Sequence, residues 1–278
     1  MADPVHAFVC GHPVNHSRSP LIHGHWLQGY GIAGTYRAID VAPDRFESFA
    51  TTLAAQGFAG GNVTIPHKEA ACRLVQVLDP LAGLIGAANT LWFEDGTLHA
   101  TNTDAHGFAA NLDALAPGWE EAETGLVIGA GGASRAIIHA LLEAGIKSVH
   151  VANRTQSRAQ ELAHRFGPRV TVHPFSALNE IAPDARLVVN TTSLGMKGEG
   201  SIPLDMSQLK PGTLVTDIVY VPLITPFLQS AMDHGLPVAD GLGMLLHQAV
   251  PGFEKWFGIR PAVTAELRSL IIADLGIH

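Results

Sequence analysis

The chain has 278 residues, of which 47% are hydrophobic and 15% are charged, and its formal net charge is −8. This composition excludes a disordered protein, and the negative charge argues against nonspecific nucleic-acid binding, which needs a basic surface. The first residues lack the basic and apolar regions of a secretory signal, and the apolar runs are too short to span a bilayer. We therefore expect a globular protein that binds neither nucleic acid nor membrane. Cys10 and Cys72 have neither metal-ligand spacing nor a disulfide framework, which favours a cytoplasmic location.

Strand-like and helix-like segments alternate along the chain, which is typical of an α/β protein with largely parallel sheets. In the first part the predicted strands are 7–10, 35–39 and a segment that begins at residue 62. Predicted helices begin near Pro20, at Pro43 and at Pro66. The pair Asp95-Gly96, between two apolar runs, predicts the turn of a hairpin.

A break between residues 117 and 124 separates this part from a second series of alternating strands and helices. The predicted strands of that series are 125–128, 148–152, 186–190 and 213–217, and its predicted helices are 133–144 and 158–166. Two final helices, around 243–256 and 263–275, have no strand between them. We expect them to return to pack on the first domain.

Polar side chains are concentrated between residues 62 and 68. Asn62 and Thr64 alternate with apolar residues, as in a strand with one buried face, so they point the same way. Pro66 suits the first turn of a helix, and Lys68 follows within that turn. Open α/β sheets bind ligands at the carboxyl ends of their strands. A plain strand-to-helix junction explains the proline but not two neutral hydrogen-bonding side chains and an ammonium together.

A glycine-rich loop follows the first strand of the second series and precedes a helix. In this context small residues let the backbone approach a pyrophosphate, and the helix start offers unpaired N–H groups. Ser134 stands at the third glycine position of the dinucleotide pattern, so the match is imperfect, and any tight turn can be rich in glycine. The residues expected to bind the cofactor here are Gly129, Ala130, Gly131, Gly132 and Ala133.

The next strand ends in Asn153, Arg154 and Thr155, with Arg158 one turn later. NAD-binding folds place a carboxylate near this point to bind the adenosine ribose, and none is present here. Arginines bind a 2′-phosphate through charge-assisted hydrogen bonds, so these four residues favour NADP over NAD. The alternative is that both arginines are simply solvated. Thr192, after a later strand, is expected to approach the cofactor or to cap a helix.

Together these segments resemble the shikimate dehydrogenases, and the resemblance covers essentially the whole chain. Each segment is weak evidence by itself, but seven in the family's order and at compatible spacing are specific. They are residues 16–20, 62–68, 86–90, 102–104, 129–135, 153–155, and 241–244 with Gln248. The resemblance implies reversible NADPH-dependent reduction of 3-dehydroshikimate to shikimate, a step in making the chorismate-derived precursors of aromatic amino acids.

The resemblance also implies two α/β domains. A substrate domain of residues 1–104, completed by 241–278, would clasp a Rossmann-type NADP domain of residues 105–240 across a cleft. It implies roles for individual residues as well. Those matching the family's substrate-binding residues are Ser17, Ser19, Asn62, Thr64, Lys68, Asn89, Asp104, Tyr220 and Gln248. Those matching residues at the nicotinamide end are Ile218 and Gly241. The partner is then a small molecule, and the protein is expected to be a monomer or a homodimer that holds no metal.

The expected catalytic residues are Lys68 and Asp104. When hydride reaches the carbonyl carbon, negative charge develops on oxygen and a proton is needed. Lys68 can donate it while Asp104 orients Lys68 and hydrogen-bonds the same hydroxyl. Asp104 can also serve as a helix N-cap, and the two roles are compatible.

Two positions depart from the family pattern. Relatives usually carry an apolar residue at the position of Arg18, between the two serines. Arg18 would either help to bind the substrate carboxylate or face solvent. Pro80 stands where relatives often carry an acidic residue, so a cofactor contact there is in doubt.

Three alternatives remain. One is a quinate/shikimate dehydrogenase that prefers quinate and NAD, against which Arg154 argues. Another is a non-catalytic NADP sensor, against which Lys68 and Asp104 argue. The third is an enzyme that acts on an amino-substituted analogue of the substrate.

Overall fold

The protein was analysed as a computed structural model, which describes residues 3–276. The chain forms two compact units. Residues 3–103 and Gln248–Gly276 make up the first unit, and Asp104–His247 makes up the second. Within the described residues, each unit contains a six-stranded sheet with helices around it. The predicted fold class is confirmed, including the return of the C-terminal helices to the first unit.

The strands and helices follow one another in the order that the sequence predicts, with some additions. The strands are β1 (Val5–Gly11), β2 (Gly34–Asp40), β3 (Phe58–Val63), β4 (Val77–Leu78), β5 (Thr90–Glu94), β6 (Thr97–Thr101), β7 (Thr124–Ile128), β8 (Ser148–Asn153), β9 (Val170–Pro174), β10 (Leu187–Asn190), β11 (Leu214–Asp217) and β12 (Val238–Ala239). The helices are α1 (Ser19–Gly29), α2 (Phe46–Thr51), α3 (Lys68–Leu74), α4 (Pro80–Ile85), α5 (Asp104–Leu115), α6 (Gly132–Glu143), α7 (Gln156–Phe166), α8 (Leu178–Ile181), α9 (Pro226–Asp233), α10 (Leu242–His247), α11 (Ala249–Phe257) and α12 (Ala265–Asp274).

The sheet of the first unit is mixed, with the order β2-β1-β3-β5-β6-β4. β1 pairs in parallel with β2 and β3, whereas β5 is antiparallel to both β3 and β6. The antiparallel pairings are those of β5, which belongs to the predicted hairpin, and the other described pairings of the two sheets are parallel, as predicted. The turn of the hairpin lies at Asp95-Gly96, as predicted, and both residues have positive φ, 51° and 76°. Such angles are those of the two-residue turns that suit the twist of a hairpin.

The C-terminal helices pack on the first unit through tryptophans. Trp256 of α11 donates from Nε1 to the carbonyl of Leu91 on β5 at 2.7 Å, and Trp26 of α1 donates to Ala262 at 3.0 Å. Gly60 on β3 makes the close approach of α11 possible. A Cβ at Gly60 would lie 2.4 Å from Trp256 Nε1 and 2.2 Å from the Leu91 carbonyl oxygen.

The sheet of the second unit has the order β12-β11-β10-β7-β8-β9, and its strand pairings are parallel. One core cluster of this unit packs apolar residues of β7, β10 and β11, such as Leu126, Val188 and Val215, against residues of α8, α9 and the segment 202–209. Parallel sheets are covered by helices on both faces, which is why these strands appear as continuous apolar runs in the sequence. β9 was not predicted, because Val170–Pro174 is short, only partly buried and ends in proline.

Three predicted helix boundaries were wrong. The segment that starts at Pro43 is first a 3-10 turn, Pro43–Arg45, and then α2. Pro66 lies before α3, not inside its first turn, because the helix begins only at Lys68, after a turn closed by the His67 N–H and the Thr64 carbonyl. The helix predicted around 243–256 is two helices, α10 and α11, separated at Gln248.

α11 lies in the first unit, whereas α10 packs against α5 within the second unit. A Cβ at Gly243 would lie 1.8 Å from Oδ1 of Asn111, so only glycine permits this packing. Asn111 also donates from Nδ2 to the carbonyl of Asp240 at 2.7 Å.

Candidate active site

In the first unit, the turn between β3 and α3 is anchored on both sides. The backbone N–H of Thr64 donates to Cys10 on β1 at 2.8 Å, and the N–H of His67 donates to the Thr64 carbonyl at 2.9 Å. The buried ring of His67 stacks on Phe46, with 4.4 Å between ring centroids, and its Nε2 lies 2.7 Å from the Val41 carbonyl oxygen. Lys68 is therefore the first residue of a helix whose start is rigidly held.

Asn62 is buried at the end of β3, and its side chain is hydrogen-bonded within the unit. Its Oδ1 accepts a 2.6 Å hydrogen bond from the hydroxyl of Tyr36. Its Nδ2 donates to the Asn89 carbonyl at 3.0 Å and to Oγ1 of Thr90 at 3.1 Å. Burial raises the pKa of Tyr36, so this hydroxyl keeps its proton and remains a donor. A contact from Asn62 to substrate stays a prediction, and what the structure shows is a residue that joins β2, β3 and β5.

Asn89 organises the residues that precede Asp104. Its Oδ1 accepts hydrogen bonds from the backbone N–H of Thr103 at 2.9 Å, from the Thr103 hydroxyl at 3.1 Å and from the Thr90 hydroxyl at 2.9 Å. The neighbouring Asn102 donates to the Ala87 carbonyl at 2.9 Å. Asp104 is the next residue, and it begins α5 in the second unit.

The two serines predicted to bind a carboxylate lie at the start of α1. The N–H of Ser19 donates to Oγ of Ser17 at 3.3 Å. Arg18 forms a salt bridge from Nε to Asp274 of α12 at 2.5 Å, and it also donates to the His16 carbonyl at 2.7 Å. The main contact of Arg18 fits neither of the two alternatives, because the side-chain carboxylate of Asp274 balances the charge of the guanidinium group.

The second departure from the family pattern has a local explanation. Pro80 is the first residue of α4, a position where the missing N–H is not needed. Asp79 caps this helix by accepting a 2.8 Å hydrogen bond from the N–H of Leu81.

In the second unit, the glycine-rich loop joins β7 to α6. Gly129 has φ +112°, and a Cβ there would lie 2.7 Å from Oγ1 of Thr191, so the position requires glycine. At Gly131 and Gly132, by contrast, an added Cβ would meet no described atom within 4 Å apart from the adjacent backbone, and both residues are exposed. The start of α6 therefore has open space, bounded by backbone N–H groups, that suits a pyrophosphate.

Ser134, at the third glycine position, has a structural role in this loop. Its buried hydroxyl accepts a 3.0 Å hydrogen bond from the N–H of Gly131 and lies 2.7 Å from Oγ1 of Thr191. Thr191 in turn donates to the Ile128 carbonyl at 2.9 Å. Serine at this position thus ties the loop to the end of β10.

The end of β8 presents the two arginines. Arg154 and Arg158 are exposed. Arg158 lies in the first turn of α7, and this turn contains no acidic residue. Asn153 donates from Nδ2 to the Thr155 carbonyl at 2.8 Å, which closes the turn between β8 and α7. This donor set suits a phosphate and offers no carboxylate to a ribose hydroxyl, so the residues present fit NADP.

The sequence did not predict a role for Asp217, a fully buried residue at the end of β11. Burial raises the pKa of its carboxyl group to about 6, although hydrogen bonds from Thr225, Val219 and Asn190 oppose this shift. Ile218 and Tyr220 follow it directly, and both are half-buried. The only signal in the sequence was an acidic residue at the end of an otherwise apolar strand.

Three family models match the chain. They describe a shikimate dehydrogenase substrate binding domain over residues 9–91, a shikimate/quinate 5-dehydrogenase over residues 116–196 and a shikimate 5′-dehydrogenase C-terminal domain over residues 241–265. The shikimate dehydrogenase (NADP⁺) of Rhizobium etli strain CIAT 652 is 60% identical over 274 residues, which is 98% of this chain and 96% of that protein. The chain belongs to the shikimate dehydrogenase family.

Two solved structures of similar proteins bear on the cofactor. The shikimate 5-dehydrogenase of Thermus thermophilus, in complex with NADP(H) and shikimate, is 39% identical and has a TM-score of 0.84, covering 93% of this chain and 95% of its own. The quinate dehydrogenase of Corynebacterium glutamicum, in complex with NAD, is 29% identical and has a TM-score of 0.90, covering 98% of this chain and 100% of its own.

Two absences also describe this shikimate dehydrogenase family member. Within residues 3–276, no helix combines the length and apolar character needed to cross a membrane. The same part of the chain has no group of three or more His, Cys, Asp or Glu side chains placed to hold a metal ion.

Proposed function

We propose that this protein is an NADP-dependent shikimate dehydrogenase, which reversibly reduces 3-dehydroshikimate to shikimate with NADPH. The observation that carries the proposal is that one chain holds two groups of hydrogen-bond donors, one suited to the substrate and one suited to NADP. Neutral hydrogen-bonding side chains lie at the end of β3, and one ammonium, that of Lys68, lies at the start of α3. An open glycine-rich loop and two arginines lie at the ends of β7 and β8.

The first unit is proposed to bind the substrate, and the second to bind NADP. A small polyhydroxylated acid needs many neutral donors and acceptors, and serine, threonine, asparagine and glutamine supply them. The proposed substrate-binding residues of the first unit are Ser17, Ser19, Asn62, Thr64, Lys68, Asn89 and Gln248, and those of the second unit are Asp104 and Tyr220.

The NADP-binding residues are proposed along the strand ends of the second unit. The residues of the glycine-rich loop, at the start of α6, contact the pyrophosphate through backbone N–H groups, and the two arginines bind the 2′-phosphate. The full set of proposed NADP-binding residues is Gly129, Ala130, Gly131, Gly132, Ala133, Asn153, Arg154, Thr155, Arg158, Thr192, Ile218 and Gly241.

Lys68 and Asp104 are proposed to manage the proton. NADPH, when bound, supplies the hydride to the carbonyl carbon of the substrate. Lys68 then donates a proton to the oxygen on which negative charge develops, and it takes the proton back in the direction of oxidation. Asp104 orients the ammonium group and hydrogen-bonds the same oxygen once it is a hydroxyl. Holding the start of α3 rigidly, as His67 and Thr64 do, keeps Lys68 at a constant position during this transfer.

A second function, oxidation of quinate with NAD, is favoured by the similarity to the Corynebacterium glutamicum enzyme and by the shikimate/quinate 5-dehydrogenase model over residues 116–196. Arg154 and the lack of a carboxylate at residues 153–158 argue against NAD. Further parts of the proposal are a cytoplasmic location and a monomeric or homodimeric state.

The deciding experiment is the initial rate of cofactor reduction with shikimate and with quinate, each with NADP and with NAD. We expect the highest kcat/KM for shikimate with NADP. A preference for quinate with NAD would replace the proposal by its alternative. Folded protein without activity on any pair would indicate an NADP sensor or a different substrate, such as an amino-substituted analogue.

A further inference from the structure

Asp217 receives hydrogen bonds from three different segments of the second unit. Asn190 donates from Nδ2 to Oδ1 at 2.8 Å, and the backbone N–H of Val219 donates to the same oxygen at 2.9 Å. The hydroxyl of Thr225, which caps α9, donates to Oδ2 at 2.7 Å. A carboxylate only accepts hydrogen bonds, and it therefore satisfies all three donors at once.

The hydrogen bond from Asn190 helps to orient the amide group of that residue. Its NH₂ group donates to Asp217 and, at 3.2 Å, to the Leu194 carbonyl, so the amide oxygen faces the turn after β10. That oxygen accepts hydrogen bonds from the N–H of Thr192 at 2.9 Å and from its hydroxyl at 2.8 Å. Asp217 thus acts through Asn190 on Thr192, one of the residues proposed to bind NADP.

A second hydrogen bond holds the segment that follows β11. The N–H of Val219 is bound by Asp217, and the N–H of Ile218 donates to the Asn190 carbonyl at 3.1 Å. On the other side Gly241 is so close that a Cβ would lie 2.5 Å from the Asp217 carbonyl oxygen and 2.7 Å from that of Ile218. The backbone from Asp217 to Val219 is therefore held from both sides.

We propose that Asp217 is a positioning residue for the reaction, which holds Thr192 and residues 218–219 in the geometry that binds NADP and substrate. The identity of these ligands rests on the proposed function. Asp217 itself is buried and is not proposed to touch either ligand.

A purely structural role would give a different pattern of effects. Thr225 links Asp217 only to α9, where its hydroxyl also accepts a hydrogen bond from the N–H of Leu228 at 3.3 Å. If Asp217 merely anchored this helix, its replacement and that of Thr225 would lower stability alike and leave ligand binding unchanged. Positioning predicts that only the replacement of Asp217 changes binding and turnover.

The test compares Asp217→Asn with Thr225→Val. Asparagine keeps the shape of the side chain but replaces one acceptor oxygen by an NH₂ group, which must face a donor. The measurements are the NADP dissociation constant by isothermal titration calorimetry, kcat and KM for shikimate, and the thermal midpoint of unfolding. For Asp217→Asn we expect a rise in the NADP dissociation constant of about fivefold and a fall in kcat of about tenfold.

For Thr225→Val we expect a lower thermal midpoint, with the NADP dissociation constant and kcat within about twofold of those of the wild-type protein. Wild-type constants in Asp217→Asn, or equal changes in both variants, would overturn the proposal. If Asp217→Asn does not fold, Asn190→Ala breaks the link from Asp217 to Thr192 and should weaken NADP binding similarly, and unchanged affinity there would overturn it.

The calorimetric comparison does not depend on turnover. If the wild-type protein binds NADP but does not oxidise shikimate, the proposed function fails. The difference in NADP affinity between Asp217→Asn and Thr225→Val still decides whether Asp217 positions the cofactor site.

Discussion

The hydroxyl of Tyr36 donates a 2.6 Å hydrogen bond to Oδ1 of Asn62, and both side chains are buried. Tyr36 lies on β2 and Asn62 on β3, with β1 between these strands. This bond therefore crosses a strand, and it leaves the Asn62 NH₂ group to donate to Asn89, just before β5, and to Thr90 on β5. The position of Asn62 at the end of β3 therefore depends on Tyr36, a residue outside the sequence motifs.

Tyr36→Phe should lower the free energy of unfolding by about 1–2 kcal/mol, because the buried Asn62 oxygen loses its donor. Urea denaturation measures this change. Tyr30→Phe is the matched control, since the Tyr30 hydroxyl is at an exposed position and accepts a long, 3.3 Å hydrogen bond from Ala262. Its effect should stay within about 0.5 kcal/mol. Equal effects of the two substitutions would contradict a special role for the bond to Asn62.

Lys68→Ala should lower kcat about 10²- to 10⁴-fold and change the KM for shikimate much less, because the proton donor is lost while the hydrogen-bonding residues remain. Steady-state kinetics with saturating NADP measures both constants. Lys147→Ala serves as the control, since Lys147 is exposed and pairs with Glu123. A near-normal kcat with a large rise in KM would show that Lys68 binds the substrate but does not transfer the proton.

Arg154→Ala should raise the KM for NADP about 10- to 100-fold and leave that for NAD nearly unchanged, because a charge-assisted hydrogen bond to the 2′-phosphate is lost. The ratio of kcat/KM values for the two cofactors is the measurement. Arg165→Ala is the control, because Arg165 lies in the last turn of α7, at the opposite end of this helix from Arg158. An equal loss with both cofactors would remove the 2′-phosphate from the role proposed for Arg154.

Gly129→Ala and Gly131→Ala should differ in their effect on stability, and the second should weaken NADP binding. At Gly129 the added Cβ would lie 2.7 Å from Thr191 in a backbone with φ +112°, so the variant should unfold at a lower temperature. At Gly131, where φ is −91°, the Cβ has space within the protein but would fill the region proposed for the pyrophosphate. Gly131→Ala should therefore keep its thermal midpoint and lose NADP affinity by calorimetry. Normal affinity would place the pyrophosphate elsewhere.

His23 should make the protein less stable in mild acid. It is fully buried between the rings of Tyr36 and Phe253, where a charged imidazole would lose its hydration. Burial lowers the pKa of His23 from 6.5 to about 3, and the neighbouring Asn62 offsets part of this effect. Below pH 6.5 the unfolded chain binds a proton that the folded protein refuses, so the contribution of His23 to stability is lost as the pH falls from 6.5 towards 3.

His23→Phe removes this pH dependence. Each pH unit below the ordinary histidine pKa of about 6.5 costs about 1.4 kcal/mol, so the difference in unfolding free energy between variant and wild type should move by about 2 kcal/mol in favour of the variant from about pH 7 to about pH 5. Urea denaturation at the two pH values measures this difference. Because the change between two pH values is compared, a constant packing cost of the larger ring cancels. An unchanged difference between the two pH values would mean that His23 is protonated in the folded protein.

Features that depend on neighbouring residues in the chain were predictable. The Asp95-Gly96 turn owes its conformation to consecutive residues, the glycine-rich loop was recognisable from its own short sequence, and periodic apolar residues predicted most strands. The order of the short motifs was sufficient to predict the family. Helix boundaries were less accurate where a proline suited two positions, as at Pro66.

The contacts of polar side chains were decided by the tertiary structure. Arg18 meets Asp274, Tyr36 meets Asn62 and Asp217 meets Asn190, and in each pair the partners are far apart in sequence. A buried donor or acceptor must find a partner wherever folding places one, and local patterns carry no information about which segment that is. The sequence by itself thus determined the family, the two α/β units and the residues proposed for catalysis. Only the packing of distant strands and helices decided which buried side chains hold those residues in place.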